Sequence, residues 1–229
     1  MRAAGLTGRH PGDVAERDVV IGPLRLAGDL CVPRGATALV IFAHGSGSSR
    51  FSTRNRAVAE ALNAQGIATL LFDLLTPDEE ADRSNVFNIG LLADRLFAVV
   101  QWVGEQGNLD KMAIGLFGAS TGAAAALVAA DRLGARIGAV VSRGGRPDLA
   151  GQALDGVTAP TLLIVGGRDH GVIELNQQAY DRLNAPKSFE IVPDATHLFP
   201  EPGTMEAVID LAIAWFQAHL GASALTHSS

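Results

Sequence analysis

Two kinds of hydrophobic pattern alternate along this chain. Residues 137–142 and 187–192 read as strands, and 37–43 (TALVIFA), 67–74 (IATLLFDL), 111–119 (KMAIGLFGA) and 161–165 are short runs of mostly apolar residues. Such runs predict strands covered on both faces, as in a parallel sheet. Residues 54–65, 89–105, 172–183 and 204–220 instead repeat their apolar residues every three or four positions, as Leu92, Leu96, Val99 and Val103 do. That period predicts helices with one face on the sheet. In the last of them Met205, Val208, Ile209, Ala212, Trp215 and Phe216 share the apolar face. The stretch after Ser120 is apolar nearly all round and predicts a helix buried on most sides. Ahead of the alternation, residues 18–22 and 24–33 read as two strands turned by Gly22-Pro23 into a hairpin. The fold class expected is α/β, a doubly wound, mostly parallel sheet with an N-terminal antiparallel hairpin. The expected organisation is a flexible tail over 1–16, one domain over 17–220 and a second flexible tail over 221–229.

Composition narrows the class. A chain of 229 residues that is 48% hydrophobic can bury a sizeable core. The net charge of −6 argues against nucleic acid or an anionic membrane surface as partner, since both favour a basic face. Cys31 stands alone, which excludes an intrachain disulfide. The N-terminal residues lack the apolar stretch of a secretory signal, and no run reaches the length of a membrane span. A cytoplasmic protein without a membrane partner is expected, as monomer or homodimer.

The chemistry gathers where such sheets bind ligands, beyond the carboxyl ends of the strands. Ser46, Ser120, Arg143, Asp169 and His197 all follow predicted strand ends. Gly118-Ala119-Ser120-Thr121-Gly122 is a G-x-S-x-G segment between a strand and a helix. In that setting the serine sits in a tight turn that lifts its hydroxyl above the sheet, and small residues on either side let strand and helix close up. A Gly/Ser connector is the plain alternative. A serine hydroxyl needs a base to take its proton and a carboxylate to orient the base. Of the six histidines, His10 and His227 lie in the tails, His219 ends the last helix, His170 adjoins Asp169, and His44 suits a structural role. His197, just past the last strand, is the base expected. Asp169 is the expected carboxylate and Asp148 the second choice, because Asp194 stands too near His197 to reach around its ring. The HGSGSS segment after residue 43 lacks the Lys-Ser/Thr of a P-loop and the third glycine of a dinucleotide loop, which weakens a phosphate-cradle reading.

Four motifs in this order, His44-Gly45-Ser46-Gly47, Gly118-Ala119-Ser120-Thr121-Gly122, Gly166-Gly167-Arg168-Asp169 and Ala195-Thr196-His197-Leu198-Phe199, make the chain resemble the α/β-hydrolase fold family. The small size and loop set resemble its dienelactone-hydrolase-like group. The namesakes of that group use a cysteine nucleophile, whereas Ser120 stands here, which points to a serine esterase. The resemblance implies an oxyanion hole from the backbone N–H groups of Ser46 and Thr121. His44, His170 and His197 lie in different loops and no pair has H-x-x-x-H or C-x-x-C spacing, so no metal is expected, and no cofactor. The segment between Ser142 and Thr161 is too short for a helical lid of the usual kind, so an open site for small or short-acyl esters is expected. Phe87, Arg143, Leu198 and Phe199 are candidate pocket residues. The function expected is a serine carboxylester hydrolase acting through an acyl-enzyme. A thioesterase or acyltransferase with the same triad, or a non-catalytic binding protein of this fold, are the alternatives.

Overall fold

Of the strands expected after the hairpin, five become inner strands of one eight-stranded sheet, and the sixth, residues 187–192, becomes its half-buried edge. A computed structural model describes residues 14–221 of the protein. In chain order the strands are β1 (Val14–Ile21), β2 (Leu26–Pro33), β3 (Ala38–Ala43), β4 (Ala68–Phe72), β5 (Ala113–Ala119), β6 (Ile137–Arg143), β7 (Thr161–Gly166) and β8 (Lys187–Val192). Their spatial order is β1-β2-β4-β3-β5-β6-β7-β8. β1 and β2 form the expected antiparallel hairpin, β2 runs antiparallel to β4, and the remaining pairs are parallel. The helices are α1 (Thr53–Ala64), α2 (Pro77–Ala81), α3 (Ile89–Gly104), α4 (Thr121–Leu133), α5 (Ala153–Gly156), α6 (His170–Arg182) and α7 (Thr204–Leu220).

The period-two geometry of the strands divides the core into two layers. Leu39 and Ile41 of β3 and Leu116 of β5 face α3, α4 and α6. Val40, Phe42 and Phe117 face the other way, against α1 and α7. Six consecutive buried residues in β3 and five in β4 follow from this double cover. α4 is built of alanines because it lies hard on the sheet and on α3. Ala123–Ala126 are fully buried.

Two features differ from the sequence pattern in detail. Of the segment expected as a tail, residues 1–13 lie outside the described residues, and residues 14–16 open β1. Of the C-terminal one, residues 222–229 lie outside as well. The polar stretch 75–88 contains α2, whose start is fixed by a capping box. Glu79 N–H donates to the Thr76 hydroxyl and Thr76 N–H to the Glu79 carboxylate, with Pro77 in the first turn. Between β6 and β7 the chain holds only a short 3-10 turn and α5, so no large lid is inserted.

Candidate active site

β5 ends at Ala119 and α4 begins at Thr121, leaving Ser120 alone to reverse the chain. Its backbone takes φ 50° and ψ −122°, a conformation a non-glycine residue rarely adopts. The neighbouring glycines explain how the turn closes. A Cβ on Gly118 would lie 2.7 Å from the Ala123 nitrogen, and one on Gly45 would lie 2.9 Å from the Ser120 Cβ. Ser120 N–H donates to the Arg143 carbonyl at 3.4 Å, and its own carbonyl accepts from Arg146 N–H at 3.1 Å. The turn is thus tied to the end of β6 on both sides.

The ends of β7 and β8 bring a carboxylate and a base into contact. His197 Nδ1 lies 2.6 Å from Asp169 Oδ2. Asp169 caps the start of α6 and is mostly shielded, while His197 is half-exposed. A carboxylate at Nδ1 fixes the proton there and leaves Nε2 as the basic nitrogen. The His197 loop is held from behind, because Thr196 donates to the Glu201 carboxylate through both N–H and hydroxyl, at 3.1 and 2.7 Å. The His197 main chain lies against Gly144, one residue past the carbonyl that receives Ser120 N–H; a Cβ at Gly144 would stand 3.0 Å from the His197 carbonyl oxygen. Ser120 and His197 therefore border the same segment, Arg143-Gly144. The second-choice carboxylate, Asp148, is taken up by Arg146 through two 2.8 Å bonds, and Asp194 pairs with Arg168 at 2.7 Å.

The loop after β3 meets the first turn of α4. Ser46 N–H donates to the Thr121 hydroxyl at 3.1 Å. The two residues expected to supply oxyanion donors are together, with the Ser46 amide resting on a side-chain acceptor. His44 anchors this loop. Its Nε2 accepts from Leu74 N–H at 3.1 Å, so the proton sits on Nδ1 and donates to the Gly45 carbonyl at 3.0 Å. Burial holds the His44 pKa below its ordinary value. Beside the loop lies a small cavity of about 100 Å³ bordered by His44, Ser46, Asp73, Leu75, Val86 and Leu92.

The four candidate pocket residues separate. Phe87 and Leu198 are exposed, at 57% and 47%, while Phe199 is packed in the layer beneath α7. Arg143 is buried, with its guanidinium 6.0 Å from the Phe199 ring centre. Among the described residues no helix is long and apolar enough to cross a membrane.

A mostly parallel sheet wrapped by helices thus carries a strained serine turn at the end of its central strand β5 and a histidine–carboxylate pair past the ends of β8 and β7. Residues 36–214 match the family model described as an alpha/beta hydrolase domain, and the chain belongs to that family. Within it the chain falls in the dienelactone-hydrolase-like group. It superposes on the crystal structure of a dienelactone hydrolase from Anabaena variabilis with a TM-score of 0.88 at 51% identity, covering 91% of this chain and 99% of that one. The Xanthomonas campestris protein XC6422, described as a serine hydrolase of this fold without a lid, gives a TM-score of 0.73 at 23% identity over 94% and 99% of the two chains, a likeness of fold. A Mycobacterium tuberculosis protein with the provisional name phosphoribosyl transferase is 58% identical over 205 residues, which is 90% of this chain and 46% of the relative. The chain thus spans about half the length of the curated relatives it matches.

Proposed function

We propose that the protein is a serine carboxylester hydrolase that acts on small or short-acyl esters through Ser120, His197 and Asp169. The observation that carries this reading is the 2.6 Å contact of Asp169 with His197 at the end of the sheet where Ser120 is held at positive φ. In this reading His197 Nε2 takes the Ser120 proton as Oγ attacks the ester carbonyl. Asp169 holds the ring and offsets the charge it gains. The Thr121 and Ser46 N–H groups receive the oxyanion. Ser46 exchanges the neutral Thr121 hydroxyl for a charged acceptor, and charge-assisted bonds are about twice as strong. The alcohol leaves with the proton from His197, and water then releases the acid from Ser120 by the same steps reversed. The cavity beside Ser46 takes a short acyl chain. The Anabaena relative's name supports a hydrolase acting at an acyl–oxygen bond. The same groups serve a thioester equally well.

Ser120→Ala tests the assignment. The expected result is a folded protein whose kcat on p-nitrophenyl acetate falls toward the roughly 10⁶-fold loss that removal of such a nucleophile causes. Retention of a tenth of the wild-type kcat refutes the role of Ser120.

A further inference from the structure

Seven arginines of this chain, Arg50, Arg56, Arg95, Arg132, Arg146, Arg168 and Arg182, each meet an aspartate or glutamate, some of them at open surface where pairing contributes little. Arg143 and Arg54 meet no carboxylate among the described residues. Arg143 is nevertheless only 5% exposed. Its Nε and that of Arg54 are buried without a hydrogen-bond partner, and its Nη2 reaches only the neutral Asn55 Oδ1, at 3.4 Å. Burial and the charge of Arg54 pull the Arg143 guanidinium down to about 10. A buried cation without a counterion is among the least favourable arrangements a fold can hold, and a second cation beside it adds repulsion.

The pair stands at the catalytic end of the sheet. Arg143 closes β6, and its carbonyl receives Ser120 N–H. Its side chain lies near Phe199, two residues past His197. Arg54 and Asn55 belong to the first turn of α1, which contains no acidic residue and presents the positive end of its dipole. Two guanidinium groups, a side-chain amide and a helix N-terminus thus lie together, with unsatisfied donors and no acceptor of opposite charge.

We propose that Arg143 and Arg54 form an oxyanion subsite that receives a phosphate-monoester group carried by the substrate. The assignment of a substrate rests on the hydrolase reading; the subsite itself does not. Two cations match a dianion, whereas a single carboxylate leaves one of them unmatched. The phosphate is a handle and stays intact. The bond broken is the acyl carbon–oxygen bond of an ester elsewhere in the molecule. Water supplies the hydroxyl of the acid and the proton of the alcohol.

Binding is measured first, in the inactive Ser120→Ala protein and in wild type, by calorimetry and thermal shift with inorganic phosphate at constant ionic strength. Saturable binding is expected in both, weakened at least tenfold in Arg54→Met and Arg143→Met. Binding that is absent at millimolar phosphate, or that Arg54→Met leaves unchanged, overturns the subsite. Should Arg143→Met fail to fold, Arg54→Met, on the half-buried first turn of α1, decides alone. The second arm compares kcat/KM for two aryl esters that differ only by a phosphate on the acyl part. Wild type is expected to prefer the phosphorylated ester at least tenfold, and Arg54→Met to lose that preference. Phosphate binding without such a preference overturns the substrate assignment and makes free phosphate the occupant. Arginine-dependent phosphate binding in a protein that cleaves neither ester supports the subsite and refutes the hydrolase reading instead.

Discussion

Replacing Gly122 by alanine tests whether the Ser120 turn depends on the contact between α4 and β3. A Cβ at Gly122 would lie 2.6 Å from the His44 carbonyl oxygen and nearer still to that of Ala43. Ordinary contact of carbon with oxygen begins near 3.4 Å, so relieving the His44 contact alone takes a retreat of about 0.8 Å by the first turn of α4, and the Ala43 contact takes more. Nothing soft lies behind it, because Thr121 and Ala123–Ala126 are buried against the sheet and α3. Overpacking of this kind costs about 1–3 kcal/mol, which for a domain of this size lowers Tm by roughly 2–12 °C. The retreat carries Ser120 with it, and a misplacement of about 1 Å costs on the order of 10²-fold in rate. Gly122→Ala is therefore expected to fold, to melt several degrees lower, and to lose about 100-fold in kcat/KM on p-nitrophenyl acetate. Thermal melts by circular dichroism and initial rates on the same sample measure both. A variant with wild-type Tm and activity within threefold of wild type refutes the idea that this packing sets the turn.

Asp169→Asn keeps the shape but lets the wrong His197 tautomer form. A loss of about 10⁴-fold in kcat is expected, equal to roughly 5.5 kcal/mol of barrier, and a loss under tenfold excludes Asp169 as the orienting carboxylate. His44 predicts a pH dependence of stability. Its folded-state pKa lies below the ordinary 6.5, so the unfolded chain takes up the proton first. Its contribution is complete above about pH 6.5 and declines as pH falls toward the folded-state pKa, by at most about 1.4 kcal/mol per pH unit. His219 is lowered by burial in the same sense, so urea melts between pH 7.5 and 5 should compare wild type with His44→Asn, whose slope is expected to be shallower. Along a p-nitrophenyl ester series kcat/KM is expected to peak between acetyl and roughly hexanoyl, because a methylene left in water adds none of the about 0.8 kcal/mol of burial. A climb that continues to dodecanoyl would reveal a long apolar groove.

The inner sheet was legible because its strands are covered on both faces and their hydrophobicity is nearly unbroken. β1 was only half legible. It is an edge strand whose described side chains are mostly exposed, so residues 14–17 show no apolar alternation, and pairing with β2 extends the strand there. α2 hid in the acidic run 78–80, although Thr76-Pro77-Asp78-Glu79 has the spacing of a capping box and could have located it. At the candidate site, Asp169 and His197 were readable from their positions after strands, since strand ends converge on one edge whatever lies between. The surroundings of Arg143 were not. Its place at the end of β6 is plain in the sequence, but whether its side chain turns to solvent or under α1 depends on which layer the strand's last residue faces. The acceptor taken by the Ser46 amide depends likewise on a residue 75 positions away.

That separation bears on how the protein acquires its working form. The geometry around Ser120 needs β3, β5 and β6 in register, the loop after β3 in place, and α4 seated, and the contacts joining them span much of the chain. Local preference opposes the turn, since serine on its own avoids the φ that Ser120 holds. Helices can form early from nearby residues, whereas parallel pairings wait on long loops to close. During refolding, helical signal should return before the ability to react with a serine-directed fluorophosphonate. The interval between the two then times the locking of the centre of the sheet.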